Sequence, residues 1–364
     1  MNALTPRDDL HDVAPYASPQ LECRARLNTN ECPVDLPASF HDDLATSIRE
    51  IPLNRYPDSQ MIQLRTALAA RHTHPVEGIW AANGSNEILT QLLQAYGGHD
   101  RTAVMFEPTY LLYSRLCWLT QTRAIQLTLN PPFTIEADAI TAAVAARPDV
   151  IFICSPNNPT GNAQSLAGIE RAASAAPNAL VVVDEAYIDF GGESALSLVA
   201  DHPNLAVVRT FSKAFSLAGA RLGYVLSSPH VVEDLQRVRL PYHLSTLTQT
   251  AGVVALRHME SALGLLEGVR AQRDRILEAL AAIKGCRVFP SHANFVLFVP
   301  PQPAALVWQG LLEAGVLVRD MTTVVPEALR VTAGTAEEID LFLGALTEVL
   351  TADTMPAPTA GETT

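Results

Sequence analysis

Lysine is nearly absent from this chain. Of 364 residues only Lys213 and Lys284 carry an ε-amine, and every other basic side chain is arginine or histidine. There is no basic run, and the formal net charge is -13. This excludes a nucleic-acid partner, because neutralising phosphates needs clustered Lys and Arg. Cysteine is scarce as well. Cys23, Cys32, Cys117, Cys154 and Cys286 are odd in number, scattered, and form no Cys-x-x-Cys pair. No disulfide framework and no metal site is expected, and the setting is expected to be a reducing cytoplasm. No apolar run reaches membrane-spanning length, and acidic residues from Asp8 onward leave no apolar core for a signal peptide. What remains is a chain with 48% hydrophobic and 17% charged residues, the balance of a folded protein. Its length suits two domains or one large α/β unit.

The near-absence of lysine puts weight on Lys213. It lies in Arg209-Thr-Phe-Ser-Lys-Ala-Phe-Ser-Leu-Ala-Gly-Ala-Arg-Leu-Gly223, after the apolar run Leu205-Ala-Val-Val208, which reads as a buried strand. Thr210, Ser212 and Lys213 follow at the end of that strand, and Arg221 comes eight residues after the lysine. A desolvated lysine can lose its proton and condense with a carbonyl. Two hydroxyls and an arginine make a cradle for phosphate. A carbonyl and a phosphate on one small molecule suggest pyridoxal 5'-phosphate.

Upstream, strand and helix patterns alternate from Ile79. A turn at Leu53–Asp58 precedes a helix expected over Ser59–His72, and Tyr56 on that turn is exposed or reaches a neighbour. Asn83-Gly-Ser-Asn-Glu87 opens a helix expected over Ile88–Tyr96. Gly84 and Ser85 stand where a cap belongs, and such an opening also binds phosphate through free N–H groups. Glu107-Pro-Thr-Tyr-Leu-Leu-Tyr113 is expected to open another helix, with Tyr110 at the edge of the preceding strand. The strand Val150–Cys154 ends in Ser155-Pro-Asn-Asn-Pro-Thr-Gly161, a rigid loop able to aim the amide of Asn158. Ala179–Val183 is an apolar strand with Asp184, Glu185 and Tyr187 at its end. A carboxylate there needs a partner, and the ring N–H of pyridoxal phosphate is one. These elements predict a mostly parallel sheet with helices on both faces, with ligands bound at the strands' C-terminal ends. Asn158, Asp184, Tyr187, Thr210, Ser212 and Lys213 all fall at such ends.

Beyond Leu240 the spacing predicts a long helical segment over 245–283, whose Arg270–Arg275 stretch reads as a solvated face. A smaller α+β ending follows. Arg319 and Arg330 interrupt its apolar strands and could form an anion pocket toward Lys213. The expected organisation is an arm over 1–25, a large α/β domain over 50–240, a small α+β domain from 26–49 with 241–352, and a disordered tail over 353–364.

Ser155-Pro-Asn-Asn-Pro-Thr-Gly161, Asp184-Glu-Ala-Tyr187 and Thr210-Phe-Ser-Lys-Ala-Phe215 with Arg221 resemble the fold-type-I aminotransferases that use pyridoxal phosphate. Leu27-Asn-Thr-Asn-Glu31, Asn54-Arg-Tyr-Pro-Asp58, Ser291–Phe298 and Leu329–Thr335 are similar to the histidinol-phosphate aminotransferase branch, and the similarity runs from about Tyr16 to Leu350. Cys32 and Ala333 depart from that branch's pattern without touching a catalytic role. The resemblance implies that Lys213 links the cofactor and then moves a proton, and that Asp184 holds the ring nitrogen protonated. It places Asn158 and Tyr187 on the ring 3-oxygen and Tyr110 on the ring face. Ser85, Asn86, Thr210, Ser212 and Arg221 would hold the cofactor phosphate, with Tyr56 from a partner subunit of a homodimer. Tyr16, Asn30, Arg319 and Arg330 would contact substrate.

The implied reaction is a ping-pong transfer of an amino group from L-histidinol phosphate to 2-oxoglutarate, giving imidazole acetol phosphate and glutamate, in histidine synthesis. An aromatic amino-acid (phenylalanine) aminotransferase and a decarboxylase of a phosphorylated amino acid are alternatives on the same scaffold. A catalytically inactive binding or regulatory protein is the reading from another class. It would need a lost catalytic group or a spare DNA-binding module, and the sequence shows neither.

Overall fold

The computed structural model describes residues 20–352, together with Leu4 and Leu10. Tyr16, most of the arm over 1–25 and the tail over 353–364 lie outside the described residues. In order, the chain forms β1 (Ala25–Leu27), α1 (Ala38–Arg49), α2 (Ile62–His72), β2 (Ile79–Ala82), α3 (Ser85–Tyr96), β3 (Thr102–Glu107), α4 (Leu112–Leu119), β4 (Arg123–Thr128) and α5 (Ala137–Ala145). It continues through β5 (Val150–Cys154), α6 (Leu166–Ala175), β6 (Leu180–Asp184), β7 (Leu205–Thr210), β8 (Gly223–Leu226), α7 (Pro229–Val238), α8 (Thr246–Arg257), α9 (Met259–Gly264) and α10 (Leu266–Ala282). The last elements are β9 (Arg287–Val288), β10 (Phe295–Val299), α11 (Ala304–Glu313), β11 (Val316–Asp320), β12 (Leu329–Thr332) and α12 (Ala336–Ala352).

Seven strands make one sheet in the order β2-β8-β7-β6-β5-β3-β4. The pairs from β7 through β4 are parallel, and β8 runs antiparallel to both of its neighbours. The central strands β5, β6 and β7 are buried at every position. Their continuous Val, Ile and Leu runs are what a sheet covered by helices on both faces requires. The edge strand β4 instead alternates exposed and half-buried residues, with Arg123 facing water, which discourages pairing with another chain. Alternation along β6 sends Asp184 and Glu185 to opposite sides. Glu185 turns away from the strand ends to a buried ion pair with Arg209 at 2.8 Å. Ser194 Oγ bonds both partners.

A second sheet, in the order β1-β11-β12-β10-β9, gathers one strand from the start of the chain and four from its end. β1 lies parallel to β11, and the remaining pairs are antiparallel. Helices α10, α11 and α12 pack on it, and α8 packs on α1 and α2.

Several local expectations give way to tertiary contacts. The carboxylate of Asp58 takes the backbone N–H of Gln60 and of Ile62, and Met61 turns left-handed with φ 51. α2 therefore starts at Ile62 rather than Ser59. Glu107 accepts from the Thr109 N–H, and Thr109 Oγ1 donates to Asn157 Oδ1. This tie between two loops holds Glu107–Leu111 out of α4. The segment 245–283 is three helices, divided at Leu265 and at His258, where the backbone leaves helical geometry. There, Arg257 and His258 both bond Asp43 of α1. The Arg270–Arg275 stretch is more than a solvated face. Arg270 Nε donates to the Phe190 carbonyl at 3.1 Å, and Arg273 Nη1 donates to the carbonyls of Phe190 and Ala293. β8 and α7 were not evident in the sequence.

Candidate active site

The C-terminal ends of β5, β6 and β7 meet one face of the second sheet, and the side chains singled out by the sequence gather there. Lys213 lies three residues beyond the end of β7, directly after the buried hydroxyls Thr210 and Ser212 that flank Phe211. Its Nζ donates to the carbonyl of Thr29 at 3.0 Å and stands 5.8 Å from the centre of the Tyr187 ring. Burial, and secondarily the charges of Arg330 and Arg221, lower its pKa to about 7, against a small opposing pull from Glu31. An amine in this position is neutral in a large fraction of molecules at neutral pH, as a nucleophile or base must be.

Asp184 ends β6, fully buried, with one oxygen accepting from Tyr113 Oη at 2.9 Å and the other from the Ala186 N–H at 3.1 Å. Burial raises its pKa to about 6 despite these two donors. Tyr113 stacks on Phe152 at 4.7 Å and meets Tyr110 edge-on at 5.6 Å. One buried phenol thus links the carboxylate to the aromatic wall.

Two elements build the anion cradle. Arg221 Nη1 donates to Ser212 Oγ at 3.2 Å, and Thr210 Oγ1 donates to Ser212 Oγ at 3.0 Å. α3 begins at Ser85, three residues earlier than its apolar spacing suggests, so Ser85 and Asn86 lie in its first turn. Its cap, Gly84, makes no side-chain cap hydrogen bond, leaving backbone N–H groups at the helix start for an anion. The antiparallel pairing of β2 with β8 sets Ala82 against Gly223 and so brings this turn to Arg221. Gly84 has φ 79, and a Cβ there would lie 2.7 Å from Arg221 Nη2. Tyr110 Oη donates to Asn86 Oδ1 at 3.4 Å on the same side.

The second sheet supplies the opposite wall. Arg330 donates from Nη1 to Asn158 Oδ1 at 2.6 Å and from Nη2 to the Asn28 carbonyl at 2.9 Å. Its guanidinium lies 5.1 Å from the Phe295 ring centre. Arg319 is its cross-strand partner in the β11–β12 register. Asn30 donates from Nδ2 to Tyr187 Oη at 3.0 Å and accepts from Thr332 Oγ1 at 3.1 Å. Both ends of its amide are therefore engaged inside the protein.

Tyr56 is apart from this group. It is 79% exposed and stacks on Tyr242 at 4.4 Å. Tyr113, Asn28, Thr332 and Asn294 were not singled out by the sequence. Tyr113 lies three residues past Tyr110, a spacing that could have suggested it. The others bond through backbone carbonyls or across sheets, where sequence carries no signal.

The set suits a molecule with a phosphate at one end, a carbonyl and a protonated ring nitrogen. An arginine with two hydroxyls and a helix start meets the first, a neutral amine the second and a buried carboxylate the third. The comparisons agree. The family model "Aminotransferase class I and II" matches residues 25–346, and the chain belongs to that family, whose cofactor is pyridoxal 5'-phosphate. At finer grain, it is 46% identical over 361 residues to the histidinol-phosphate aminotransferase of Mycobacterium avium (strain 104), covering 96% of this chain and 90% of that one. It is 47% identical over 348 residues to the protein of the same name from Thermobifida fusca (strain YX), covering 93% and 94%. In fold it is similar to the crystal structure of histidinol-phosphate aminotransferase from Sinorhizobium meliloti in complex with pyridoxal-5'-phosphate. That match has a TM-score of 0.87 and 23% identity over 96% of this chain and 99% of that one.

Proposed function

We propose that this aminotransferase exchanges an amino group between L-histidinol phosphate and 2-oxoglutarate, giving imidazole acetol phosphate and glutamate. The observation that carries this is the placement of Lys213, a buried amine between an anion cradle on one side and two opposed arginines on the other. The names of relatives at 46% and 47% identity supply the particular substrate.

Bound pyridoxal phosphate supplies an aldehyde for the amine and an electron-withdrawing ring that stabilises negative charge at the substrate carbon. Lys213 Nζ would be the group that takes the proton from that carbon and returns it one position away, and a pKa near 7 suits an amine to both directions. Asp184 would accept a hydrogen bond from the ring N–H, with Tyr113 Oη and the Ala186 N–H each holding one of its oxygens in place. Ser85, Asn86, Thr210, Ser212 and Arg221 hold the cofactor phosphate, while Tyr110 covers the ring. Asn158 and Tyr187 meet the ring 3-oxygen. Arg319 and Arg330 bind the phosphate of one substrate and the carboxylate of the other, and we assign Tyr16 to substrate as well; Asn30, whose amide is taken up by Thr332 and Tyr187, acts on the site through Tyr187.

The enzyme works as a homodimer in the cytoplasm. The exposed Tyr56–Tyr242 stack, beside exposed Leu53 and Leu240, supports a partner surface through which Tyr56 reaches the neighbouring cradle. Among the described residues no helix is long and apolar enough to cross a membrane. A cofactor unit of residues 50–240 and a substrate unit of 26–49 with 241–352 correspond to the two sheets.

A single half-reaction tests the substrate. Cofactor-loaded protein is mixed with L-histidinol phosphate without acceptor, then separately with phenylalanine at equal concentration, and the visible absorbance is followed. Faster bleaching with histidinol phosphate is expected. Faster bleaching with phenylalanine would leave the chemistry standing and replace the substrate.

A further inference from the structure

Arg330 and Thr332 lie two residues apart on β12 and so share one face of it. Arg330 Nη1 donates to Asn158 Oδ1. A guanidinium has donors only, so the amide oxygen of Asn158 faces β12 and its Nδ2 is turned away to donate elsewhere. Thr332 imposes the matching choice on Tyr187 through one intermediary. The backbone N–H of Asn30 donates to Thr332 Oγ1 at 3.1 Å, so the hydroxyl's own hydrogen goes to Asn30 Oδ1, also at 3.1 Å. With Oδ1 held there, Asn30 presents Nδ2 to Tyr187 Oη at 3.0 Å. An amide N–H cannot accept, so Tyr187 Oη is the acceptor in that contact and its own hydrogen is left to donate beyond it.

The chain of contacts is dry. Asn30 is 1% exposed, Thr332 3% and Tyr187 5%, so no bulk water competes to turn the amide over. Asn294 Nδ2 pins the Asn30 carbonyl at 3.1 Å. Asn30 has φ 55, a left-handed backbone that asparagine tolerates, which turns its N–H and its amide oxygen toward the same hydroxyl. Phe295, the register partner of Thr332, meets the Tyr187 ring edge-on at 5.1 Å.

We infer that β12 fixes the donor polarity of both residues flanking the cofactor's 3-oxygen, with Thr332 the positioning residue for Tyr187, acting through Asn30. This rests on the reading that Asn158 and Tyr187 meet that oxygen. Two donors aimed at one oxygen favour its anionic form. Thr332 touches neither cofactor nor substrate in this scheme. Its role is to decide which way a phenol hydrogen points.

The test is a pH titration of the visible absorbance of cofactor-loaded protein without substrate. Removing a donor leaves the 3-oxygen more basic and raises the apparent pKa of the bound chromophore. Tyr187→Phe and Thr332→Val should each raise it by about one unit, and Thr332→Ser should match the parent. In a Tyr187→Phe background Thr332→Val should add nothing, because both act through one hydrogen. If the valine variant does not fold, Asn30→Gly takes its place with the same expectation, since glycine accepts a φ of 55 and removes the amide. An unshifted Thr332→Val beside a shifted Tyr187→Phe overturns the relay alone, as does a shift that persists in the Tyr187→Phe background. An unshifted Tyr187→Phe overturns the reading of the 3-oxygen contacts, and the relay with it.

Discussion

Arg319 on β11 and Arg330 on β12 are directly opposed in the antiparallel register of the second sheet. Like charges so placed destabilise a strand pair, and Arg330 is buried as well. In the proposed function a substrate anion between the two guanidinium groups would offset both costs. With cofactor already bound, inorganic phosphate should therefore raise the melting temperature by a few degrees. Arg319→Gln should raise KM for donor and acceptor alike by roughly 10- to 100-fold. Arg330→Gln should do the same and also weaken cofactor binding, because it releases Asn158. If Arg319→Gln affected only one of the two substrates, the shared subsite would be disproved.

The amine of Lys213 gives the apoprotein a pH-dependent stability whose sign can be worked out. Its pKa is about 7 in the folded chain against an ordinary 10.5. Between those values the unfolded chain binds the extra proton, so stability rises with pH across about 7 to 10.5, and below 7 the penalty is full and constant. Lys213→Met removes this dependence. Its gain in melting temperature should be larger at pH 6 than at pH 9, measured on apoprotein. An equal gain at both values would mean the amine is not desolvated.

Asp184 behaves in the opposite way in acid. Its pKa is raised by burial to about 6 from 3.8. The folded apoprotein then holds the extra proton between those values, so this group's contribution is full below 3.8 and is lost as pH rises through 6. Asp184→Asn should stabilise the apoprotein at pH 8 and leave its stability near pH 3.5 little changed. Cofactor, whose ring N–H would meet the carboxylate in the proposed function, should narrow the difference at pH 8. Thermal melts with and without cofactor measure both effects.

Two glycines of the cradle separate binding from folding. Gly84→Ala places a Cβ against the Arg221 guanidinium at a φ of 79 and should weaken cofactor binding roughly tenfold. The fold should persist, because a flexible side chain can move aside. Gly223→Ala places a Cβ 2.1 Å from the backbone nitrogen of Ser85, where nothing can give without moving α3. It should cost about 3 kcal/mol in urea unfolding, with or without cofactor.

The exposed patch of Leu53, Tyr56, Leu240 and Tyr242 predicts a self-associating surface. Leu240→Glu should yield monomers in sedimentation velocity and weaken cofactor binding in parallel, because Tyr56 would no longer reach a second cradle. A monomeric parent protein would refute the shared site.

The readable part of this molecule was the part where one strand announces itself. β5, β6 and β7 carry apolar runs that stop at Ser155, Asp184 and Arg209, so the side chains after them were placed at strand ends from sequence alone. β8 gave no such signal, being four residues long, led by a glycine and reversed against its neighbours. Tyr113 was hidden for another reason. Its hydroxyl meets Asp184 across 71 positions of sequence, and nothing in a helical segment distinguishes a core tyrosine from one holding a carboxylate. The break at His258 sits where Arg257 and His258 bond Asp43, more than 200 residues away, and no local propensity encodes that tether.

The reversal of β8 also decides which wall of the site owns each end of the reaction. It ties the Gly84 turn to Arg221, so the proposed phosphate cradle and Lys213 are anchored on the seven-stranded sheet, whereas Arg319 and Arg330 belong to the five-stranded one. In the proposed function a donor would span from one sheet to the other, amine to anion, before both of its ends were satisfied. Molecules too short to bridge that gap would forfeit one contact, and selection among amines would become a matter of reach.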